Sequence, residues 1–240
     1  MYLGMLNGKV CLTSADSPNN SVCVTGISGT GKTSRLNQIE LVNAKEETTV
    51  IVIDLNQTHI DNKIFPCIRT EYIKKVNRIH VMQDGLGMEF LRAMQICEGR
   101  KESSVHLINS AVKAISASQK MGARQIGVLR QAIIWAIEHR EEFNSEADAI
   151  TASLKNQTDR EAEAVYQKLW PLLNSRALVL SSKTIETNAI NIIDLSGIDS
   201  ITQSVLTEMI LSNLWRKIQF ENTLTSQKNL MIVLDEFQHI

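Results

Sequence analysis

The chain has 240 residues, of which 43% are hydrophobic and 21% are charged, and its formal net charge is −1. This length and composition suit one large globular domain, or one domain with an inserted subdomain, and exclude a disordered chain. The near-zero charge gives no overall attraction to nucleic acid, so any such contact requires a local basic patch. The four cysteines form no C-x-x-C motif, which argues against a zinc site or a disulfide framework.

The sequence shows no targeting or membrane-spanning pattern. No apolar run approaches the roughly 20 residues that span a bilayer. The N-terminus lacks the basic segment and apolar core of a signal peptide. We therefore expect no transmembrane segment and a cytoplasmic protein, either free or peripheral at the inner face of the membrane.

The hydrophobic pattern predicts an α/β fold with a mostly parallel sheet. Residues 1–20 suit a short hairpin. Apolar, β-branched runs predict buried strands, and a run without alternation is expected where both faces of a parallel sheet are covered. The predicted strands are 21–25, 48–54, 78–82, 189–197 and 229–236.

Helical periodicity fills most of the remaining chain. It predicts a helix over 34–42 and another over 201–218. Residues 88–178 contain helical patterns and almost no glycine or proline, which indicates a helical insertion between strands of the sheet. We therefore predict an N-terminal part of the core over 1–87, a helical subdomain over 88–178 and the remainder of the core over 179–240.

One stretch fits G-x-x-x-x-G-K-[ST], the phosphate-binding P-loop, and it lies between a predicted strand and a predicted helix. Its glycines let backbone N–H groups approach a polyphosphate at the helix N-terminus. Lys32 would reach the β- and γ-phosphates, and the Thr33 hydroxyl would bind Mg²⁺. The predicted nucleotide-binding residues are Gly26, Ile27, Ser28, Gly29, Thr30, Gly31, Lys32, Thr33 and Ser34.

The last predicted strand is apolar and ends in two acids, which is the Walker B pattern. Asp235 would hold Mg²⁺ through its water shell, and Glu236 would polarise the water that attacks the γ-phosphate. The alternative for Glu236 is that it caps the following turn. Because a kinase of small molecules has no use for an activated water, the pair favours a hydrolytic motor.

Two further acids, Asp54 and Asp194, end predicted strands. Strand C-termini host ligands in open α/β sheets, so each acid could act near the nucleotide or at a ring interface. The alternative is that each caps the next turn or helix. The histidines show no metal-ligand spacing, and the tryptophans lie in helical patterns that favour packing.

Together these motifs resemble the HerA–FtsK superfamily, and most closely the HerA-like and conjugative type IV secretion ATPases. The similarity consists of the P-loop, the strand at 50–54 that ends in the acid Asp54, the run Ile-Asp-Leu-Ser-Gly at 193–197, and Leu-Asp-Glu at 234–236. It implies a RecA-like P-loop ATPase core that uses ATP and Mg²⁺, forms a hexameric ring and translocates double-stranded DNA. Relatives continue into a sensor strand and arginine-finger segments, so we expect a sheet gap beside Walker B and reduced turnover by this chain alone.

The sequence leaves three functions open. The first is a ring-forming DNA translocase, which would have a nuclease as its partner. The second is a secretion or conjugation ATPase that moves protein or nucleoprotein through a channel. The third is a nucleotide-gated switch module that hydrolyses little ATP.

Overall fold

A computed structural model describes residues 2–6, 9–12, 22–25, 31–44, 48–59, 76–179, 183–220 and 229–234. The chain divides into two compact units. Unit 1 comprises Met1–Arg78, Ile185–Asp194 and Gln227–Asp235, and unit 2 comprises Ile79–Thr184, Leu195–Ser226 and Glu236–Ile240. Unit 2 thus includes 79–87, 179–184, 195–226 and 236–240, which the predicted segments assign to the core.

The secondary structure follows the predicted alternation of strands and helices. In chain order the elements are β1 (Tyr2–Leu6), β2 (Lys9–Leu12), α1 (Lys32–Ala44), β3 (Thr48–Asp54), β4 (Val76–His80), α2 (Val81–Asp84), β5 (Gln95–Cys97), β6 (Arg100–Lys101), α3 (Ser104–Ala117), α4 (Ala123–Glu138), α5 (Glu146–Asn156), α6 (Arg160–Asn174), β7 (Ile190–Asp194), α7 (Ser200–Phe220) and β8 (Asn229–Leu234).

Unit 1 is built on a sheet with the strand order β4-β7-β3-β8, in which β3 pairs in parallel with both β7 and β8. All seven residues of β3 are buried, which explains its unbroken apolar run. Helix α1 packs against β3 and β7. The predicted α/β fold with a mostly parallel sheet and flanking helices is therefore confirmed. The hairpin predicted within 1–20 is present as the antiparallel pair β1 and β2.

A hydrophobic cluster holds α1 on the sheet. Its buried members come from β3, β7 and β8, and Leu36 and Leu41 of α1 pack against them. Burying one such aliphatic side chain contributes roughly 1.5–3 kcal/mol. The apolar spacing of α1 therefore fixes which helix face meets the sheet. The buried members are Val50, Val52, Ile190, Ile192 and Val233.

A buried asparagine on β7 forms a hydrogen-bond network within this core. Asn191 is fully buried, and its amide donates to the carbonyls of Glu186 and Val50 at 2.9 and 3.2 Å. Its Oδ1 accepts from the backbone N–H of Glu186 and from the side chain of Asn77 at 2.8 and 2.9 Å. Because a buried amide needs its partners, this network ties β4 and the turn before β7 to one register.

Two predicted strands differ from the structure. Residues 22–25 have no strand pairing, and Val22 is 42% exposed. A β-branched run forms a strand only with a hydrogen-bonding neighbour, and among the described strands only β3 pairs with β8. The strand predicted over 78–82 ends at His80, because Val81 begins the short helix α2.

Unit 2 contains α3 to α7, in which α3 packs on α7 and α4, α5 and α6 pack on one another. Helices α3 to α6 lie within the predicted helical segment 88–178, whose first part, 88–103, is irregular apart from the hairpin of β5 and β6. Glu146 at the start of α5 accepts the backbone N–H groups of Phe90 and Leu91, which stabilises this non-helical path. Large fully buried residues of unit 2 include Leu107, Ile115, Leu129, Ile133, Ile150, Leu154, Leu169 and Leu172.

A buried ion pair connects α7 to this irregular segment. The guanidinium of Arg216 donates to both carboxylate oxygens of Glu102, at 2.9 and 2.6 Å, and to the carbonyls of Phe90 and Arg92. Glu102 also accepts from the Met94 backbone N–H. Removing one partner of such a pair typically costs about 3–5 kcal/mol, so the pair is a structural element of unit 2.

Candidate nucleotide-binding site

The end of the P-loop sequence forms the N-terminus of α1. Gly31 has φ +82°, a left-handed conformation that favours glycine, and a Cβ placed on it would meet nothing within 4 Å. The Arg35 N–H donates to the Gly31 carbonyl at 2.9 Å, so regular helix begins at Lys32. Lys32 and Thr33 are half-buried, and Ser34 is exposed. The chain therefore enters α1 through Gly31, and there is open space beside this glycine.

The charge distribution at this helix end suits a phosphate group. The first N–H groups of a helix lack intrahelical partners and carry the positive end of the helix dipole. The first turn of α1 contains no acidic residue, and it carries the ammonium group of Lys32. Thr33 supplies a hydroxyl oxygen, which is a suitable Mg²⁺ ligand. These residues fit the triphosphate and metal that the sequence predicts.

Several predicted site residues lie outside the described part of the chain. They are Gly26, Ile27, Ser28, Gly29, Thr30, Asp235 and Glu236. Gly31 directly follows the first of these two segments and Leu234 directly precedes the second, and both Gly31 and Leu234 belong to unit 1. In the sheet, Leu234 is level with Ile53, one residue before Asp54, and Asp54 is level with Asp194. The described strands β3, β7 and β8 therefore end at a common edge.

Asp54 caps the turn that follows β3. Its Oδ1 accepts the backbone N–H groups of Asn56 and Thr58 at 3.2 and 3.0 Å, and the Thr58 hydroxyl at 3.2 Å. Its Oδ2 accepts the His59 N–H at 2.9 Å. Of the two roles considered for this acid, the structure shows the capping role. Asp194 ends β7 on the same edge, half-buried.

A buried histidine, for which the sequence predicts no role, lies beside this capped turn. His59 is fully buried, and its Nε2 donates to Glu40 of α1 at 3.1 Å. Its Nδ1 lies 3.0 Å from the Thr58 hydroxyl and 3.7 Å from the Asp54 carboxylate. Arg78 of β4 donates to the His59 carbonyl. The residue therefore joins the turn after β3, the P-loop helix and the strand β4, which lies beyond β7 in the sheet.

The two carboxylates keep this imidazole charged. Burial lowers the pKa of His59, but the hydrogen bonds and charges of Asp54 and Glu40 outweigh it and raise the pKa from 6.5 to about 10. Burial also raises the pKa of Asp54, but hydrogen bonds from His59 and Thr58 outweigh it and lower the pKa from 3.8 to about 2. Both groups are therefore ionised at neutral pH, and the imidazolium donates from both nitrogens.

The ion cluster predicts a pH-dependent stability. Because the pKa of His59 is raised in the folded state, its contribution is complete below 6.5 and is lost as the pH rises through about 10. The depressed pKa of Asp54 makes its contribution complete above 3.8, and this is lost as the pH falls through about 2. We expect His59→Gln to lower the free energy of unfolding by about 3–5 kcal/mol near pH 6, where both contributions are complete.

Urea unfolding of wild type and His59→Gln across this pH range checks the prediction. The difference in unfolding free energy should shrink steadily above pH 6.5. His139→Gln removes an imidazole from unit 2, where His139 contacts the Trp135 carbonyl, and serves as the control. A difference between wild type and His59→Gln that stays constant up to pH 10 would contradict the assignment of a charged His59.

Local sequence signals could have revealed this cluster. Asp54 ends a strand and is followed by Thr58 four residues later, a spacing that suits a side-chain-capped turn. Glu40 interrupts the apolar face of α1 formed by Leu36, Ile39 and Leu41, which marks a buried acid in need of a partner.

The packing role predicted for the tryptophans does not hold for Trp170 and Trp215, which are 50% and 60% exposed.

Comparison with known proteins places the chain in a family. The family described as "Helicase HerA, central domain" matches residues 2–214. The chain belongs to this HerA central-domain family. Its members are P-loop ATPases, which agrees with the site at α1 and confirms the predicted HerA-like and type IV secretion superfamily. No helix in the described residues is long and apolar enough to cross a membrane.

A solved structure confirms the fold assignment. The chain is similar to the structure of VirB4 of Thermoanaerobacter pseudethanolicus, with a TM-score of 0.57 and 12% sequence identity. The alignment covers 86% of this chain and 81% of the VirB4 chain. The comparison with curated proteins finds no match. At this identity the similarity shows a shared fold.

Proposed function

We propose that this HerA-family chain is the ATP-binding and ATP-hydrolysing core of a motor that translocates double-stranded DNA as a ring. The observation that carries the proposal is the N-terminus of α1. There the G-K-T end of the P-loop enters a helix through a left-handed Gly31, with Lys32 and Thr33 in an acid-free first turn. Family membership supports the ATPase part of the proposal.

Each residue has one task in the proposed reaction. The α1 amides and Lys32 bind the phosphates and neutralise the charge that develops during γ-phosphoryl transfer. Thr33 and Asp235 would hold Mg²⁺, which would supply positive charge to offset that of the phosphates. Glu236 orients the attacking water and accepts its proton. Asp235 and Glu236 directly follow Leu234, which pairs with Ile53 near the end of β3.

The proposed ring and DNA cargo go beyond the ATPase assignment. A motor that moves along DNA should hydrolyse ATP faster when DNA is present, because its hydrolysis cycle is coupled to DNA binding. The purified protein is therefore expected to hydrolyse ATP, and duplex DNA is expected to raise its rate at least several-fold. The measurement is steady-state phosphate release with and without duplex DNA, at equal ionic strength, together with the mass of the assembly in solution.

The same measurement separates the three functions. DNA stimulation of a multimer supports the translocase. ATP hydrolysis by a multimer that ignores DNA and co-purifies with channel components supports a secretion motor and contradicts the DNA proposal. Tight ATP binding with negligible hydrolysis by a multimer supports a nucleotide-gated switch and contradicts the motor.

A further inference from the structure

We propose that the bond between His59 and Glu40 is a positioning contact for the nucleotide site, which holds the P-loop helix against the end of β3. This inference rests on the proposed ATP site. Glu40 lies eight residues after Lys32, about 12 Å further along α1 at 1.5 Å per residue. Neither side chain of the pair is therefore expected to touch a phosphate. Their effect on the site would be transmitted by the helix to its own first turn.

The geometry gives this contact control over the placement of the helix. His59 is fixed on the sheet side by its N–H bond to Asp54, and its carbonyl accepts from Arg78 of β4. Its ring then reaches α1 through one directional bond of 3.1 Å to the Glu40 carboxylate. The side chains of His59 and Glu40 are 0% and 2% exposed, so water cannot replace the bond if α1 shifts.

The chemistry of the cluster also favours a role in positioning. Apolar contacts such as those of Leu36 already hold α1 on the sheet, and they are non-directional. Burying ions adds a desolvation cost, and an apolar replacement of a buried pair is often equally stable. The ions add a defined distance and angle between α1 and the turn after β3. A phosphate-binding helix needs that accuracy, because a misplacement of about 1 Å can cost 100-fold in rate.

Two variants test the inference. Glu40→Gln keeps the shape and one hydrogen bond but removes the charge, and its matched control is Glu102→Gln, another buried carboxylate that pairs with a cation in unit 2. The double variant Glu40→Met/His59→Leu replaces the ions by apolar groups of similar size while leaving the Asp54 cap on residues 56 and 58. Stability is followed by thermal unfolding, and Mg-ATP affinity by titration calorimetry.

We expect both variants at position 40 to raise the Kd for Mg-ATP by about 10-fold, within the usual range for coupling between distant sites. Glu102→Gln should lower the melting temperature but change this Kd less than about 2-fold. The double variant is decisive, because it should melt near the wild-type temperature and still bind ATP weakly. If it folds and binds ATP like the wild type, the contact is only structural and the inference is overturned.

The wild-type titration separates this inference from the function on which it rests. Absence of Mg-ATP binding by the wild type would overturn both the nucleotide site and the positioning role. Wild-type binding combined with unchanged affinity in both Glu40 variants would overturn only the positioning role. If the double variant is unfolded, the Kd for Mg-ATP of Glu40→Gln is compared with that of Glu102→Gln. This comparison still tests the positioning role, because both changes are isosteric.

Discussion

Replacing Lys32 with Ala is expected to weaken Mg-ATP binding by about 100-fold or more, because the charged hydrogen bonds from the ammonium group to two phosphates are lost. Lys32 is the first residue of α1, in a turn with no acidic residue. Its loss leaves the backbone amides as the other protein groups proposed to bind the β- and γ-phosphates directly. The expected rate of hydrolysis falls in parallel, since the same charge stabilises the transition state. Calorimetric titration of the purified variant with Mg-ATP measures the effect.

Arg35 provides the matched control for this substitution. It is the fourth residue of α1, at the end of the first turn, is exposed, and donates to Gln38 at 3.0 Å. Arg35→Ala removes one positive charge from the same helix without removing a predicted phosphate ligand. Its Kd for Mg-ATP should stay within about 3-fold of wild type, as expected for an exposed and screened charge. Equal losses in both variants would show that Lys32 acts only through overall charge.

Replacing Glu236 with Gln is expected to abolish turnover while preserving nucleotide binding. A carboxylate that accepts the proton of the attacking water contributes about 100-fold to 10,000-fold in rate. The amide retains the shape and a hydrogen bond but cannot take the proton, so the variant should hold ATP with wild-type affinity. Single-turnover hydrolysis and a parallel binding titration measure the two quantities separately.

The opposite result for Glu236 has a clear meaning. A variant that hydrolyses ATP at the wild-type rate would show that another group activates water. Glu98→Gln removes an exposed carboxylate from the turn between β5 and β6, and serves as the control for loss of negative charge. Its turnover should match that of the wild type.

The parts of the fold that depend on local pattern could be predicted from the sequence. The strand β3 could be predicted because its four central residues, 50–53, are all apolar, as expected where both faces of a strand are buried. Helix α1 could be predicted from the spacing of its apolar residues, and Asp54 could be predicted as the acid at the end of β3. The motif also predicted that a glycine precedes the helix that begins at position 32, where the structure has a left-handed Gly31.

The parts that depend on distant partners could not be predicted in the same way. Residues 22–25 have the composition of a strand, but a strand exists only where another strand offers hydrogen bonds. The irregular segment at 88–103 is stabilised by Glu146 and Arg216, which follow it by more than 40 residues in the chain. His59 likewise acquired its role from Glu40, nineteen residues before it.

The nucleotide site is tested most directly by a crystal structure of the Glu236→Gln variant with Mg²⁺ and ATP. That variant should trap the uncleaved nucleotide, so the positions of its phosphates can be compared with Lys32, Thr33 and Asp235. The predicted result is a γ-phosphate within hydrogen-bond distance of the Lys32 Nζ, with Mg²⁺ bound to the Thr33 hydroxyl and, through water, to Asp235. A nucleotide bound elsewhere, or Asp235 too distant to reach the metal through one water, would contradict the assignment of this chain as a HerA-type motor.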